Sequence, residues 1–255
     1  MRRDMDETAS LLSKLKLPDF ERDTEYVALV NDDSDYPLLS GDIGSSDGVR
    51  MDKKNYRKAT NEFIVPNSTA KHTKLSRESY MVGALARFNL NSAKLHKKAK
   101  DIAAVLNFKA PCKNPYMNTV AQLLECIHCL EDSISILEGF KNKSVDYKEE
   151  ILVGLNERNV IPVKAGNGVG AVEVPRGILF HNYEIDDKGT IINSNCIIPT
   201  GQNVNNVEHD MKKLVPEILD RSDKEITLML EMLVRAYDPC ISCSSHFLEV
   251  KLVCI

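Results

Sequence analysis

Apolar residues recur at three- and four-residue steps through Val120, Leu123, Leu124, Ile127, Leu130, Ile134 and Leu137. That period predicts one long helix over residues 117–137 with a single core-facing stripe, opened by Asn114-Pro115. Helices are also predicted over 76–88, over 91–106 with Asn91-Ser92 as cap, and over 204–219 and 224–236. A short helix is expected over 6–15, and another, after a short strand, over about 52–63. Tyr26 to Val30 reads as a strand ended by Asn31-Asp32-Asp33, and residues 41–48 as a turn-rich loop. Two β-branched runs, 177–185 and 190–198, flank Asp186-Asp187-Lys188-Gly189 and predict a hairpin. The preceding Gly166-Asn167-Gly168-Val169-Gly170 reads as a turn where backbones approach closely; its spacing does not fit a dinucleotide loop, and a strand rather than a helix follows.

The pattern gives a mainly α fold with small β elements, of α+β type: a small sheet in an irregular 1–60, helices over 61–150, a β-hairpin region over 151–200, and helices again over 201–246. At 43% hydrophobic and 27% charged residues, the chain can bury a core of its own. The formal net charge of −4 gives no reason to expect nucleic acid, and the lysines between Lys94 and Lys100 read as a solvated helix face. No apolar run reaches the roughly 18 residues of a membrane span. Residues Met1 to Asp4 are charged and lack a signal core, so a cytoplasmic location is expected. Seven cysteines, an odd number, argue against a disulfide framework and for metal binding or burial.

The chemistry concentrates at Asp238-Pro239-Cys240-Ile241-Ser242-Cys243-Ser244-Ser245-His246. Thiolates three residues apart can hold one soft or borderline metal, with His246 at a further ligand spacing; a redox pair and half of a zinc site are the alternatives. Cys126 and Cys129 share the spacing but fall in or beside the apolar stripe, where cysteine acts as a small hydrophobe. Arg176, locked between Pro175 and Gly177, can be aimed at an anion or polar ligand. His72 reads as structural, and Glu208, His209 and Asp210 as helix surface.

Together, Asp238-Pro239-Cys240-x-x-Cys243-x-x-His246, Glu173-x-Pro175-Arg176-Gly177 and Pro199-Thr200-x-x-Asn203 resemble the large, catalytic subunit of nickel–iron hydrogenases. Ala70-Lys71-His72 with the segment from Met81 to Arg87 is similar to a fourth family segment. The resemblance is to the cytoplasmic F420-reducing, non-F420-reducing and sulfhydrogenase types and spans about residues 25–246. It implies a hydrogenase large-subunit-like helical core with a β-hairpin. It also implies reversible heterolytic cleavage of H2, with electrons passed to an iron–sulfur small subunit. Cys240 would be a terminal nickel ligand, and Cys243 would bridge nickel and an iron that carries carbon monoxide and cyanide. Arg176, backbone groups near Pro175, and Thr200 would hydrogen-bond the cyanides, with Asp238 paired to Arg176. His246 would ligate Mg2+ or another hard cation. A maturation endopeptidase would cut after His246, making residues 247–255 a removable extension.

The sequence departs from the family at Val174, where alanine is usual, and in having no second Cys-x-x-Cys in the family's N-terminal context. The expectation is a C-terminal portion whose N-terminal part, with the other two thiolates, is missing from this polypeptide. It would be completed by a separate N-terminal half, be an inactive truncated fragment, or serve as a non-catalytic Cys/Cys/His metal-binding module. Exposed apolar surface is expected on the isolated chain.

Overall fold

A computed structural model describes residues 1–141, 163–240 and 250–251. The helices are α1 (Arg2–Leu12), α2 (Tyr56–Thr60), α3 (Ala84–Asn91), α4 (Lys97–Val105), α5 (Asn118–Phe140), α6 (Pro199–Ile218) and α7 (Asp223–Ala236). The strands are β1 (Glu25–Val30), β2 (Asp42–Ser45), β3 (Arg50–Met51), β4 (Tyr80–Met81), β5 (Gly166–Val174), β6 (Gly177–Ile185) and β7 (Ile191–Ile197). One sheet runs β3-β2-β1-β4 and the other β5-β6-β7. Among the described residues no helix is long and apolar enough to cross a membrane.

Two apolar cores organise these elements. The larger gathers Leu85 and Phe88 of α3, Val120, Leu124 and Ile127 of α5, Leu214 of α6 and Leu233 of α7. The smaller lies between the sheets, around Val27, Ile43, Tyr56, Ile178 and Phe180. The long helix therefore forms where its period predicts, but its stripe is buried only through Ile127. Leu137 is 67% exposed, and Ile136 and Phe140 share that exposed end. Cys126 and Cys129 are exposed, not buried hydrophobes, because they fall beside the stripe on the solvent side of α5.

Polar tethers and glycine reshape the other expected elements. The helix expected from residue 76 begins at Ala84. Upstream, Tyr80 and Met81 pair in parallel with Glu25 and Tyr26, and Gly83 at φ +110° turns the chain into the helix. Asn91 is not a cap for α4; its side chain donates to the Leu29 carbonyl at 3.0 Å, and His96 caps α4 by accepting from the Lys98 N–H at 3.2 Å. The loop expected at 41–48 contains β2, whose Gly44 lies so close to Val30 that a Cβ would come within 2.6 Å of it. Gly166 to Gly170 form no turn but the outer end of edge strand β5. The hairpin of β6 and β7 forms as expected, with Asp186 Oδ1 accepting from Lys188 N and Thr190 N. Helix α6 starts earlier than expected, with Pro199 in the first turn, where its missing N–H costs nothing. Ile161, Pro162 and residues 142–150 lie outside the described residues.

Candidate functional site

Arg176 stands in the two-residue turn between β5 and β6, since Val174 and Gly177 close the ladder. Three contacts lock this turn from beneath. Gly177 has φ +134°, and a Cβ there would overlap Val82 Cγ2. The Val174 and Pro175 carbonyls accept from Arg87 Nη1 and Nη2 at 2.9 and 3.1 Å. Asn203 of α6 pairs with both backbone groups of Val82, at 2.9 and 3.2 Å, and reaches the Arg176 carbonyl at 3.4 Å. Gly177→Ala is therefore expected to cost about 2 kcal/mol or more, from strained φ and from overpacking against Val82. Denaturant titration of the purified chain checks it; a loss below about 0.5 kcal/mol would show that the turn yields freely.

Arg87 itself is 2% exposed and spans two carboxylates. Its Nε and Nη2 reach Glu125 at 2.6 Å each, and its Nη1 reaches the fully buried Glu173 at 2.8 Å. Glu173 also accepts from the Leu29 N–H at 2.7 Å. Burial raises the Glu173 carboxyl above its ordinary range, and the Arg87 charge works against that rise. The network ties α3, α5, β1 and the Arg176 turn into one unit.

The segment after α7 is anchored just as firmly. Tyr237 donates to Asp210 Oδ2 at 2.5 Å and accepts from Asn206 Nδ2 at 2.7 Å, while Arg22 Nε donates to Asp210 Oδ1. Asp210 is thus 1% exposed and part of an anchor, not the helix surface expected from its neighbours. Asn118 Nδ2 holds the Ala236 carbonyl at 2.7 Å. Asp238 then takes φ +50°, which ends α7 and swings the chain toward the Arg176 turn.

Four separated segments converge here. Arg176 donates through Nε to the Asp238 carbonyl and through Nη2 to Asp238 Oδ1 at 3.1 Å. Gln122 of α5 approaches Asp238 Oδ2 at 3.5 Å. The Cys240 N–H donates to Thr200 Oγ1 at 3.2 Å, and Thr200 sits 4% exposed in the first turn of α6. The sequence-predicted pair Arg176–Asp238 and the pair Thr200–Cys240 are therefore assembled, although more than 35 residues separate their members. The Pro175 carbonyl faces inward to Arg87. Cys243 and His246 lie outside the described residues, as does the segment 247–249. Among the described residues no group of three or more His, Cys, Asp or Glu could hold a metal ion.

A profile described as nickel-dependent hydrogenase matches residues 49–246. The chain belongs to the nickel-dependent hydrogenase family. Among its relatives is the alpha subunit of sulfhydrogenase 1 from Pyrococcus furiosus, 31% identical over 215 residues, which cover 84% of this chain and 48% of the relative. The matching polypeptide of an F420-non-reducing hydrogenase from Methanothermobacter marburgensis is 35% identical over 135 residues, covering 52% and 26% respectively. The fold matches that in a crystal structure of an NAD+-reducing [NiFe]-hydrogenase in the H2-reduced state, with a TM-score of 0.73 at 23% identity, over 96% of this chain and 57% of the other. The chain spans about half the length of the sulfhydrogenase alpha polypeptide it matches. In this hydrogenase-family chain, the Arg87–Glu125–Glu173 network and the Asn118 and Asn203 tethers are what sequence reasoning missed. Arg87 and Glu173 stand inside motifs already singled out, but nothing in the sequence pairs residues so far apart.

Proposed function

We propose that this chain is the C-terminal part of a nickel–iron hydrogenase large subunit and supplies Cys240 as a terminal nickel ligand and Cys243 as the nickel–iron bridge. The observation that carries this reading is the convergence of Arg176, Asp238 and Thr200 on the segment that bears Cys240. The donor set fits such a centre on the side that is described. Thr200 accepts from the Cys240 N–H and keeps its own proton to donate to an anionic ligand such as cyanide. The first turn of α6 adds the positive end of a 20-residue helix, which favours a thiolate or other anion beside it. Arg176 brings a fixed positive charge, oriented by two bonds to Asp238.

A nickel–iron centre with carbon monoxide and cyanide on iron supplies the redox and Lewis-acid chemistry that splits H2. The protein's part is to hold the ligands and to handle the proton. A guanidinium has five N–H donors and no acceptor, so Arg176 orients and stabilises charge rather than acting as base. The Cys240 Sγ is the atom assigned to hold and release the proton. His246 is assigned to Mg2+ or another hard cation, and residues 247–255 to an extension removed by a maturation endopeptidase. The other two thiolates come from a polypeptide carrying the family's N-terminal Cys-x-x-Cys, and an iron–sulfur small subunit takes the electrons. The assembly is assigned to the cytoplasm.

Thr200→Val tests the donor role. In an assembly of this chain with the N-terminal half and the small subunit, H2-dependent dye reduction is expected to fall roughly 10–100-fold while nickel is retained. Full activity in that variant would remove Thr200 from the site.

A further inference from the structure

The outward face of the β5-β6-β7 sheet carries a second cluster of reactive groups, independent of the hydrogenase reading. His181 on β6 lies directly opposite Cys196 on β7, and Tyr183 is the next residue on the same face of β6. The three side chains close a triangle. His181 Nδ1 is 2.8 Å from the Tyr183 hydroxyl and 3.4 Å from Cys196 Sγ, and the Tyr183 hydroxyl is 3.7 Å from the same sulfur. Cys196 is exposed and Tyr183 is 38% exposed, so the sulfur is open to reagents in water. The ladder on both sides of β6 fixes the three residues in register.

The neighbouring strand leaves room for a ligand. Gly170, Gly168 and Gly166 stand opposite His181, Tyr183 and Ile185 on that same face. A Cβ placed on any of the three would meet nothing within 4 Å. The result is a shallow groove floored by backbone along edge strand β5, running up to His181 and Tyr183. Glycine at three alternate positions of a strand weakens it, since each lacks a side chain to pack, and commonly marks a place where another backbone or ligand approaches. A metal is the poorer occupant: Cys196 and His181 are only two ligands, and among the described residues no third His, Cys, Asp or Glu completes a site.

We propose that Cys196, served by His181 and Tyr183, is a thiol-exchange site that takes low-molecular-weight peptide disulfides such as glutathione disulfide. The thiol proton passes to His181 Nδ1, and the Tyr183 hydroxyl donates to the thiolate that remains. The Cys196 sulfur attacks one sulfur of the small disulfide. That S–S bond breaks, a mixed disulfide forms at Cys196, and the departing thiolate takes up a proton. No electrons are gained or lost overall, and exchange with a small thiol reverses the step. The groove beside Tyr183 receives the peptide portion of the reagent. The tyrosine's pKa is raised, first by its hydrogen bond to Cys196, in keeping with a hydroxyl that keeps its proton to donate.

The chain holds its own controls. Cys126 and Cys129 are also exposed, but among the described residues no histidine or hydroxyl is hydrogen-bonded to their sulfurs, and burial followed by the Glu125 charge raises both thiols. The test treats the full chain with glutathione disulfide at pH 7 and follows each cysteine by peptide mass mapping. Cys196 is expected to form the mixed disulfide at least about tenfold faster than Cys126 or Cys129. His181→Gln is expected to slow Cys196 about tenfold and Tyr183→Phe about threefold, with the Cys126 and Cys129 rates unchanged in both. Because those two rates report an intact fold, a variant that simply unfolds is recognised by their rise, and the second variant then decides. Equal rates at the three cysteines in the wild-type chain, or a Cys196 rate that neither substitution changes, would overturn the proposal.

Discussion

Arg87→Met is expected to destabilise the chain by about 3–5 kcal/mol, the largest loss from any single substitution considered. The size follows from what the substitution leaves behind. Glu173 is fully buried and Glu125 nearly so, and Arg87 is the cation that both of them share. Removing it strands buried carboxylates without a counter-charge and leaves the Val174 and Pro175 carbonyls without this donor. The penalty should also depend on pH, with a definite sign. Burial already raises the Glu173 carboxyl above its ordinary value of 4.5, and loss of the arginine raises it further. A carboxyl with a raised folded pKa binds more protons in the folded than in the unfolded chain, so folding stability falls as pH rises through that window. The gap between variant and wild type should therefore be widest near neutrality and shrink toward acid, where the folded state can protonate Glu173. Denaturant unfolding at two pH values reads both features. A gap below about 1 kcal/mol, or one that does not change with pH, would mean that the network contributes little.

Cys240→Ser is expected to remove nickel from the assembled protein together with all H2-dependent activity. A serine hydroxyl is a harder donor than a thiolate and does not ionise near neutral pH, so it replaces neither the bond nor the charge. Folding should be nearly untouched, because the substitution keeps the backbone N–H that donates to Thr200 and changes one side-chain atom. This separation distinguishes the variant from Arg87→Met: one keeps the stability of the fold and loses the metal, the other loses stability.

The long helix and the β6–β7 hairpin could be read from the sequence because each is announced by a local period: three- and four-residue steps over Val120 to Ile127, and alternation around an Asp/Gly turn. Local signals misled where a distant partner decides the outcome. Tyr80 and Met81 sit in a stretch that suits a helix, yet the parallel partner β1 draws them into a sheet. Gly166, Gly168 and Gly170 look like a turn, yet β6 supplies a nine-residue ladder that holds them extended. Asp210 looks like helix surface until Arg22 and Tyr237 close over it. For the candidate site, the residues that the structure brings together, Arg176, Asp238, Thr200 and Cys240, all stand in motifs with distinctive spacing. Their support was not readable, because Arg87, Asn118 and Asn203 act through contacts between segments far apart in sequence.

The central claim is that Cys240 belongs to a nickel–iron centre, and elemental analysis of the assembled protein tests it most directly. The chain is co-produced with the polypeptide carrying the other Cys-x-x-Cys, the iron–sulfur protein and the maturation proteins, then purified as a complex and measured for nickel and iron. Stoichiometric nickel on the wild-type complex, with iron in excess because the iron–sulfur protein adds its own, and no nickel on Cys240→Ser complexes of the same composition, is the expected result. A correctly assembled wild-type complex without nickel, or nickel retained after Cys240→Ser, would contradict the assignment. Stoichiometric zinc on the isolated chain, lost in the same variant, would identify the motif as a zinc module instead.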